Sequence, residues 1–280
     1  MLTLENRPYR GPLKLAVLDL AGTVLDFGSR APACAFIELF SRHDIRLSEE
    51  EARGPMGLDK RDHIAALCIL PSIRDAWVAR YGAAPTDADI DSLYHEFIPL
   101  QTEILPRYAQ LVPGARDAVA ALRARGLRIA FTTGYSREML QIVMDEAKKQ
   151  GIVADAAVCG TDVPAGRPAP WMALECTRLT SVFPPASCIK LGDTLVDIEE
   201  GRNAGMWSVG AAISGNMTGL SLLEWEALSE DRKTAFRTAA TQAMHAAGAH
   251  AVIDSIADLP AMVDLINASM AEGGAADRIC

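Results

Sequence analysis

Residues 15–26 read LAVLDLAGTVLD, and this stretch decides the fold. Its apolar run ends on Asp19, and the pair Gly22 and Thr23 that follows is typical of a tight turn. A short apolar run bounded by a turn predicts a buried strand of a parallel sheet, with Asp19 at its carboxyl end. A carboxylate in that place is a candidate nucleophile. Ala21 stands two residues later, where a second acid would complete an Asp-x-Asp pair.

Short apolar runs alternate with helical patterns along most of the chain. The segments 114–126 and 136–151 have helical spacing, and Ser136 and Gly151 are typical start and stop residues of a helix. This alternation predicts an α/β fold, with a Rossmann-like parallel sheet covered by helices. The six predicted strands are 13–20, 128–134, 156–160, 188–193, 207–213 and 251–256.

Residues 28–106 interrupt the alternation, because they read as several short helices separated by Pro, Gly and acidic caps. An all-helical insert after the first strand predicts a cap domain at 28–106 and a core domain formed by 1–27 and 107–280. Ligands of such sheets bind at the carboxyl ends of the strands, so a cap placed there would close the site. The predicted helices of the insert are 31–44, 60–68, 72–82 and 86–105.

The composition limits the classes of function. The 280 residues are 50% hydrophobic and carry a net charge of −9, which allows a sizeable core. No lysine- and arginine-rich patch with interleaved aromatic residues is present, which argues against nucleic acid as a partner. The segment 1–14 lacks the apolar stretch of a signal peptide, and no window reaches the roughly 18 apolar residues of a membrane-spanning helix. We therefore expect a soluble, cytoplasmic protein without a membrane partner.

The six cysteines are scattered without a CxxC pair, and the histidines show no HExxH spacing. In a reducing compartment such cysteines are best interpreted as small buried apolar residues rather than as disulfides or metal ligands. We expect no zinc site.

Polar residues follow four of the predicted strands: Asp19, Thr133, Arg167 and Asp193. Converging strand ends bring such residues together. Two carboxylates in one pocket imply a cation, and oxygen ligands favour a hard ion such as Mg²⁺. Asp197 follows Asp193 by four residues, on the same face of a helix predicted to begin there, and would bind the ion directly or through a water.

The same strand ends are suited to phosphate. Thr133 and the backbone amides around Gly134 are placed to hold phosphoryl oxygens, and Arg167 to balance charge that develops on a transferring group. Each side chain also has an ordinary structural interpretation: a helix cap for Asp193, a strand-end hydroxyl for Thr133 and a solvated arginine at 167. Their order and their common place at strand ends favour the catalytic interpretation.

Four motifs resemble those of the haloacid dehalogenase superfamily of aspartate-nucleophile hydrolases. They are DLAGT at 19–23, TTGYS at 132–136, AGRPAPW at 165–171 and GDTLVD at 192–197. More narrowly, PMGLDKRDH at 55–63 and the order and spacing of the motifs resemble the phosphonatase family, the phosphonoacetaldehyde hydrolases. The similarity covers roughly residues 12–215, with a weaker tail. It implies hydrolysis of the C–P bond of phosphonoacetaldehyde to acetaldehyde and phosphate, with Mg²⁺ as cofactor, by a homodimer.

The resemblance also implies roles for individual residues. Asp19 would be the nucleophile, Lys60 would form a Schiff base with the substrate aldehyde, and His63 would relay protons. Mg²⁺ would be held by Asp19, by the backbone carbonyl of Ala21 and by Asp193, with Asp197 in a supporting place. The remaining residues implied at the substrate are Met56, Gly57, Thr133, Gly134, Tyr135 and Arg167.

Lys60 separates this interpretation from others. By sequence alone, a lysine at the polar start of a helix is most often a solvated charge. The chemistry gives it a reason: direct attack on phosphorus would expel an acetaldehyde carbanion, whereas a protonated imine accepts the departing electrons as an enamine. For this, the Lys60 amine must be neutral, so we expect desolvation or a nearby cation to lower its pKa.

The chain departs from the family pattern at two positions. Leu20 follows the nucleophile where the family often has Trp, and Ser29 stands where it often has Cys. Neither change removes a proposed catalytic group, but the second puts a minor accessory role in doubt. The apolar helix face in PACAFIELF at 32–40 is a candidate dimer surface and equally a candidate for the internal core of the cap.

Two alternatives remain open at this stage. A 2-haloacid dehalogenase also uses an aspartate nucleophile without a second acid, but it needs no metal and has little use for Lys60 or for Asp193 with Asp197. A phosphatase-like chain that lost its general acid at Ala21 would survive as a binding or regulatory protein.

Overall fold

Six short strands form one parallel sheet within residues 9–272, the part of the chain that the computed structural model describes. Each strand falls within a predicted segment, and all neighbouring strands are parallel, so the predicted α/β fold is confirmed. The strands are β1 (Leu15–Asp19), β2 (Arg128–Thr133), β3 (Ala156–Cys159), β4 (Cys188–Gly192), β5 (Trp207–Ala211) and β6 (Ala251–Ile253). Their order across the sheet is β3-β2-β1-β4-β5-β6.

The central strand β1 is buried on both faces. Ala16 and Leu18 belong to one apolar cluster, whereas Leu15 and Val17 belong to a second cluster on the opposite side. Successive side chains of a strand point to opposite faces, so a strand covered on both sides needs apolar residues without alternation. This explains why the run before Asp19 is continuously apolar.

The sheet order reverses at β1, because the chain builds β2 and β3 on one side of it and β4 to β6 on the other. In open parallel sheets the crevice at such a reversal is where ligands bind. Asp19 ends β1, Thr133 ends β2 and Asp193 directly follows β4. The topology therefore gathers these three polar residues at one edge of the sheet.

Twelve α-helices accompany the strands within the described residues, and none of them is long and apolar enough to cross a membrane. They are α1 (Arg30–Arg42), α2 (Glu49–Arg53), α3 (Lys60–Cys68), α4 (Pro71–Tyr81), α5 (Asp87–Tyr108), α6 (Ala115–Ala124), α7 (Arg137–Lys149), α8 (Trp171–Thr180), α9 (Leu195–Asn203), α10 (Leu222–Glu226), α11 (Glu230–Ala246) and α12 (Leu259–Ala271).

The insert after β1 is helical, as predicted, and consists of α1 to α5. The short helix α2 was not among the predicted helices, because only Ala52 of its EEEAR sequence is buried and it has no apolar stripe. Its signal is the capping box, in which Ser48 accepts a hydrogen bond from the amide of Glu51 and the Glu51 carboxylate accepts one from that of Ser48. The helix α5 continues two residues past the predicted boundary at 106, and the division into two domains remains a prediction.

The insert and the sheet share apolar packing. One buried cluster contains Leu18 and Phe131 from the sheet together with Phe36 of α1 and Phe97 of α5. The rings of Phe36 and Phe97 stack with their centroids 4.3 Å apart. The helices of the insert are therefore packed against the strand ends in this conformation.

The cysteines of the described residues are all free, and four of these five are buried, as the sequence predicts. Cys280 lies outside the described residues, as do residues 1–8, which include part of the segment interpreted as lacking a signal peptide.

Candidate active site

The carboxyl ends of β1, β2 and β4 and the loop before α3 line one small pocket. Ten residues that the sequence analysis singled out line it, and their assigned roles remain predictions. Ser29, the serine at the family's cysteine position, also lines it, and Pro32 and Thr194 are lining residues that were not predicted. The ten are Asp19, Ala21, Met56, Gly57, Lys60, Thr133, Gly134, Tyr135, Arg167 and Asp193.

Two glycines allow the insert to approach the sheet closely at this pocket. Gly57 has φ +96°, and a Cβ atom there would collide with the side chains of Thr194 and Val196. A Cβ atom on Gly134 would collide with the carbonyl oxygen of Leu58. The loop before α3 thus lies against the backbone of the turn after β2 and against side chains that follow β4, at distances that only glycine permits.

Asp19 lies at the floor of the pocket and is only 5% exposed. Its Oδ1 forms an ion pair with Nη2 of Arg167 at 2.8 Å. Burial and the negative charge of Asp197 raise the pKa of Asp19 to about 6, although the charges of Arg167 and Lys190 act in the opposite direction. The arginine is therefore the neighbour that favours the ionised carboxylate that a nucleophile requires.

Arg167 belongs to a fully buried network of charges behind the pocket. Its Nη1 lies 3.0 Å from Oδ1 of Asp197, and its Nε lies 3.0 Å from Oε2 of Glu200. Nζ of Lys190 lies 2.8 Å from the same Asp197 oxygen and 3.1 Å from the same Glu200 oxygen. Thr132 Oγ1 accepts a hydrogen bond from each cation, at 2.9 Å in both cases.

Three members of this network were not predicted, although two of them leave a signal in the sequence. Lys190 is a charge in the middle of the apolar run CIKLG, and Glu200 follows Asp197 by one helical turn. A buried charge needs partners, so each signal predicts the other. Thr132 gives no comparable signal, because a threonine is ordinary in a strand.

The three carboxylates Asp19, Asp193 and Asp197 could hold a metal ion, since each offers an oxygen within 4.8 Å of the others. Their surroundings differ. Both oxygens of Asp197 are taken, Oδ1 by Lys190 and Arg167 and Oδ2 by the hydroxyl and amide of Thr194. Oδ1 of Asp193 is buried and has no hydrogen-bond partner within residues 9–272, whereas its Oδ2 accepts from the amide of Asn216 at 2.7 Å.

The pKa values of the two carboxyl groups follow these surroundings. Burial, Asp19 and Asp197 raise the pKa of Asp193 well above its ordinary value. Burial also favours protonation of Asp197, but Arg167 and Lys190 outweigh it and hold that pKa below its ordinary value. A divalent cation bound to oxygen ligands fits beside Asp19 and Asp193, because it would satisfy the bare Asp193 oxygen and offset the repulsion between the two acids. The α9 helix begins at Leu195 with Thr194 as its N-cap, two residues later than predicted.

Lys60 is the first residue of α3 and is 4% exposed. Its Nζ lies 5.6 Å from the ring centroid of Phe36 and 5.3 Å from that of Tyr135. No carboxylate of residues 9–272 lies within salt-bridge distance of this amine. Burial lowers the pKa of Lys60 to about 8, against the opposing charges of Asp59 and Asp19.

The neighbours of Lys60 in sequence point elsewhere. Arg61 is partly exposed and forms an ion pair with Asp91 at 2.6 Å, so it does not face the amine. His63 is completely buried but does not line the pocket; its ring stacks on that of Phe36 with centroids 3.9 Å apart. Burial and the charge of Lys60 hold its pKa well below the ordinary value.

The tautomer of His63 follows from its contacts. The neutral ring donates from Nε2 to the carbonyl oxygen of Ala52 at 3.0 Å. Nδ1 is then the acceptor, and it is buried without a partner among the described residues. His63 is thus a neutral imidazole with a bare acceptor nitrogen one helical turn from Lys60, and its lowered pKa disfavours the protonated form.

Tyr135 lines the pocket beside Lys60, and its amide donates to Thr133 Oγ1 at 3.2 Å. Its hydroxyl is buried and has no hydrogen-bond partner within residues 9–272. Burial and the charges of Asp26, Asp19 and Asp193 raise its pKa well above the ordinary value, so the group is a neutral donor.

The comparison with known proteins defines the class first. The model of the haloacid dehalogenase-like hydrolases matches residues 13–205, which contain the pocket and its charge network.

The relatives then define the family. The chain is 45% identical to the phosphonoacetaldehyde hydrolase of Hahella chejuensis over 97% of this chain and 92% of that one. It is 44% identical to the phosphonoacetaldehyde hydrolase of Paraburkholderia phytofirmans, over 93% of this chain and 98% of that one. A solved structure from Oleispira antarctica, described as like a phosphonoacetaldehyde hydrolase, superposes with a TM-score of 0.95 at 41% identity and covers 98% of this chain and 99% of that one. The chain belongs to the phosphonoacetaldehyde hydrolase family of haloacid dehalogenase-like hydrolases.

Proposed function

We propose that this chain hydrolyses the C–P bond of phosphonoacetaldehyde, releasing acetaldehyde and phosphate. The observation that carries the proposal is the pairing of two groups across one small pocket: the carboxylate of Asp19 on the sheet and the amine of Lys60 on the insert. The relatives described above share the chain over nearly its whole length, and the activity in their names requires such a pair.

The first step in the proposed reaction belongs to Lys60. Its neutral amine attacks the aldehyde carbon, water leaves, and a protonated imine forms. An apolar wall made by Phe36 and Tyr135 favours the neutral amine that this attack needs. His63, neutral and with its Nδ1 lacking a partner among residues 9–272, is the base proposed to move the protons of imine formation.

The second step belongs to Asp19. An oxygen of its carboxylate bonds to phosphorus, the C–P bond breaks, and the electron pair moves through carbon into the protonated imine. The result is an aspartyl phosphate and an enamine on Lys60. Arg167, 2.8 Å from Asp19, is proposed to balance negative charge on the phosphoryl group, and Thr133 with the amides around Gly134 to hold its oxygens.

Water then completes the cycle. It hydrolyses the aspartyl phosphate to phosphate, while the enamine takes up a proton at carbon and the resulting imine is hydrolysed to acetaldehyde, which restores Lys60. Ala21 fits this scheme, because no leaving alcohol needs a proton from an acid at that position. Met56, Gly57 and Tyr135 are proposed to enclose the substrate, since each lines the pocket next to Lys60.

Mg²⁺ is the proposed cofactor, held by Asp19, by the backbone carbonyl of Ala21 and by Asp193. The bare Asp193 oxygen supports this set, and the saturated oxygens of Asp197 support a place for that residue behind the metal ligands. When bound, the ion would neutralise charge between the carboxylates and the phosphonate.

Two further properties are proposed from the insert and the cysteines. A homodimer would use the α1–α5 face, where a groove of about 600 Å³ lies between the helices and is lined by Cys34, Leu100 and Tyr108 among others. The free thiols support a reducing compartment such as the cytoplasm. Sedimentation of the purified protein measures the first property: a dimer supports it and a monomer at micromolar concentration contradicts it.

The activity is tested by incubating the protein with phosphonoacetaldehyde and Mg²⁺ and measuring both products. Equal amounts of phosphate and acetaldehyde, released in proportion to enzyme, are expected. Chloride release from 2-chloropropionate without C–P cleavage would instead identify a haloacid dehalogenase. Binding of phosphonoacetaldehyde without either reaction would identify a binding protein, and both of these outcomes overturn the proposal.

A further inference from the structure

Arg53, the last residue of α2, reaches from the insert to the sheet domain through its guanidinium group. Nη1 donates to the carbonyl oxygens of Gly28 at 2.8 Å and Ser29 at 3.3 Å, the first two residues of the insert. Nη2 donates to the carbonyl oxygen of Gly219 at 3.0 Å. Glu49, one turn earlier on α2, accepts from Nε and Nη2 and fixes the orientation of the group. The side chain is 12% exposed, so these contacts are largely shielded from water.

The same arginine holds Asn216 from two sides. Nη1 of Arg53 donates to Oδ1 of Asn216 at 3.4 Å, and Nδ2 of Asn216 donates to the backbone carbonyl of Arg53 at 3.2 Å. The backbone amide of Asn216 donates to Oδ2 of Asp193 at 2.7 Å. A continuous path of hydrogen bonds therefore joins α2 to the carboxylate whose other oxygen is bare.

The loop that carries Asn216 packs tightly between Arg53 and Asp193. A Cβ atom at Gly215 would collide with the side chain of Asp193. Gly219 has φ +68°, and a Cβ atom there would lie 2.7 Å from Nε of Arg53. The loop is thus shaped to meet Asp193 at one end and Arg53 at the other, and both approaches require glycine.

We infer that Arg53 is a positioning residue that couples the packing of the insert on the sheet to the metal-binding geometry of Asp193, through Asn216. Arg53 does not touch the substrate or the reacting atoms. It fixes the loop 215–219, and the loop holds Asp193 Oδ2, which leaves Oδ1 available as a ligand for the ion. Coupling between two binding events is reciprocal, so Mg²⁺ at Asp193 also favours the packed position of α2.

The inference rests on the proposed function only in taking Asp193 as a ligand of Mg²⁺. Its test is a calorimetric titration of metal-stripped, full-length protein with Mg²⁺ alone, which needs no substrate and no turnover. Removal of a group that orients a metal ligand typically weakens binding about 10- to 100-fold. We expect Arg53→Met to weaken Mg²⁺ binding about tenfold, and Asn216→Ala, which keeps the backbone amide, to do the same.

Two further variants separate positioning from general damage. Glu49→Gln removes the charge of an exposed partner of Arg53 but keeps an acceptor oxygen for the guanidinium group and leaves every contact with the sheet domain, so the affinity of this variant for Mg²⁺ should stay within about twofold of the unmodified protein. In the double variant of Arg53→Met and Asn216→Ala, the loss of Mg²⁺ affinity should be smaller than the sum of the two single losses. Both substitutions break the same path of hydrogen bonds to Asp193. Circular dichroism melting of each variant without metal identifies any variant that has lost its fold.

The expected results are the tenfold loss, the unchanged control and the non-additive pair. Mg²⁺ affinity of a folded Arg53→Met protein within about twofold of the unmodified protein overturns the inference, as do fully additive losses. A parent protein that does not bind Mg²⁺ overturns it as well. A protein that shows the expected affinities but releases no phosphate from phosphonoacetaldehyde leaves the inference standing and refutes the proposed function.

Discussion

Two lysines are buried close to the pocket, and their environments are opposite. Lys190 on β4 lies among acids, with Nζ 2.8 Å from Asp197 and 3.1 Å from Glu200. Lys60 on α3 faces the rings of Phe36 and Tyr135 and has no carboxylate within salt-bridge distance in residues 9–272. Burial favours the neutral form of both amines, but at Lys190 the carboxylates outweigh it and raise the pKa, whereas at Lys60 burial lowers the pKa to about 8.

The difference shows how one fold prepares two kinds of lysine. A buried amine with paired acids is a fixed charge, which holds the network behind Asp19 in place. A buried amine without them exchanges its proton near neutral pH, which a nucleophilic lysine requires. Both residues are lysines, so the side chains that surround each amine decide the different functions that we assign to Lys60 and Lys190.

The largest expected effect is on turnover. Lys60→Arg keeps a cation in the pocket but offers no amine that forms an imine, so we expect kcat for phosphonoacetaldehyde to fall at least about 10³-fold. Release of phosphate over time measures this.

Arg61→Lys is the matched control for this variant. Arg61 is the next residue on α3 and pairs with Asp91 away from the pocket. The kcat of Arg61→Lys should therefore stay within about twofold of that of the parent protein. Turnover of Lys60→Arg close to that of the control would show that the enzyme works without an imine.

The second effect is on stability and concerns the paired lysine. Lys190→Met leaves Asp197 and Glu200 with one buried cation fewer, and breaking a buried ion pair costs about 3–5 kcal/mol. We expect the free energy of unfolding in urea to fall by this amount at pH 7. A loss below about 1 kcal/mol would mean that the network does not depend on Lys190.

The third effect is a gain in the free energy of unfolding, opposite in sign to the loss expected for Lys190→Met. The pKa of Lys60 is about 8 in the folded protein and 10.5 ordinarily, a difference that corresponds to roughly 3 kcal/mol against folding with the charged amine. Lys60→Met removes this penalty, so we expect the free energy of unfolding to rise by about 1–3 kcal/mol at pH 7.

The pH dependence of this gain is fixed by the two pKa values. Below pH 8 the amine is charged in both states, and the penalty is complete. Between pH 8 and 10.5 only the unfolded chain holds the proton, so the parent protein gains stability with rising pH and the advantage of the methionine disappears. Urea unfolding at several pH values measures the trend; a variant less stable than its parent at pH 7 would contradict the assigned environment of Lys60.

The smallest effect is the pH profile of amine reactivity. Only the neutral amine acylates, so trace labelling with acetic anhydride should modify Lys60 about tenfold faster per pH unit and level off near pH 8. Lys149, exposed and beside Glu146, has a raised pKa and serves as the internal control. If the acylation rates of Lys60 and Lys149 had the same midpoint in pH, the lowered pKa assigned to Lys60 would be wrong.

Much of the fold was predictable because the strands are buried on both faces. The apolar runs before Asp19 and Asp193 are too short for helices and too continuous for a surface, so they indicated a parallel sheet and its catalytic edge. The helix α2 was not predicted, since its five residues bury only Ala52. Its end residue Arg53 also contacts Asn216 and Gly219, which lie more than 160 residues later and belong to no local pattern.

The site divides in the same way. Residues at strand ends, such as Asp19 and Thr133, were found because their position has a direct geometric meaning. Lys190 and Thr132 act behind the pocket, and their role depends on which side chains the packing brings within 3 Å. The resemblance implied a proton relay at His63, whose ring stacks on Phe36 and does not line the pocket, so this role remains a prediction.

The central claim is that Lys60 and Asp19 act in sequence on one substrate, and reductive trapping tests it most directly. The protein is incubated with phosphonoacetaldehyde and borohydride, and the modified peptide is identified by mass spectrometry. The parent protein should carry an ethyl group on Lys60, because the C–P bond breaks before reduction. Asp19→Asn should carry a phosphonoethyl group on the same lysine, because the imine forms but no nucleophile attacks phosphorus. An unmodified Lys60 in both proteins, or an ethyl group in both, would contradict the account.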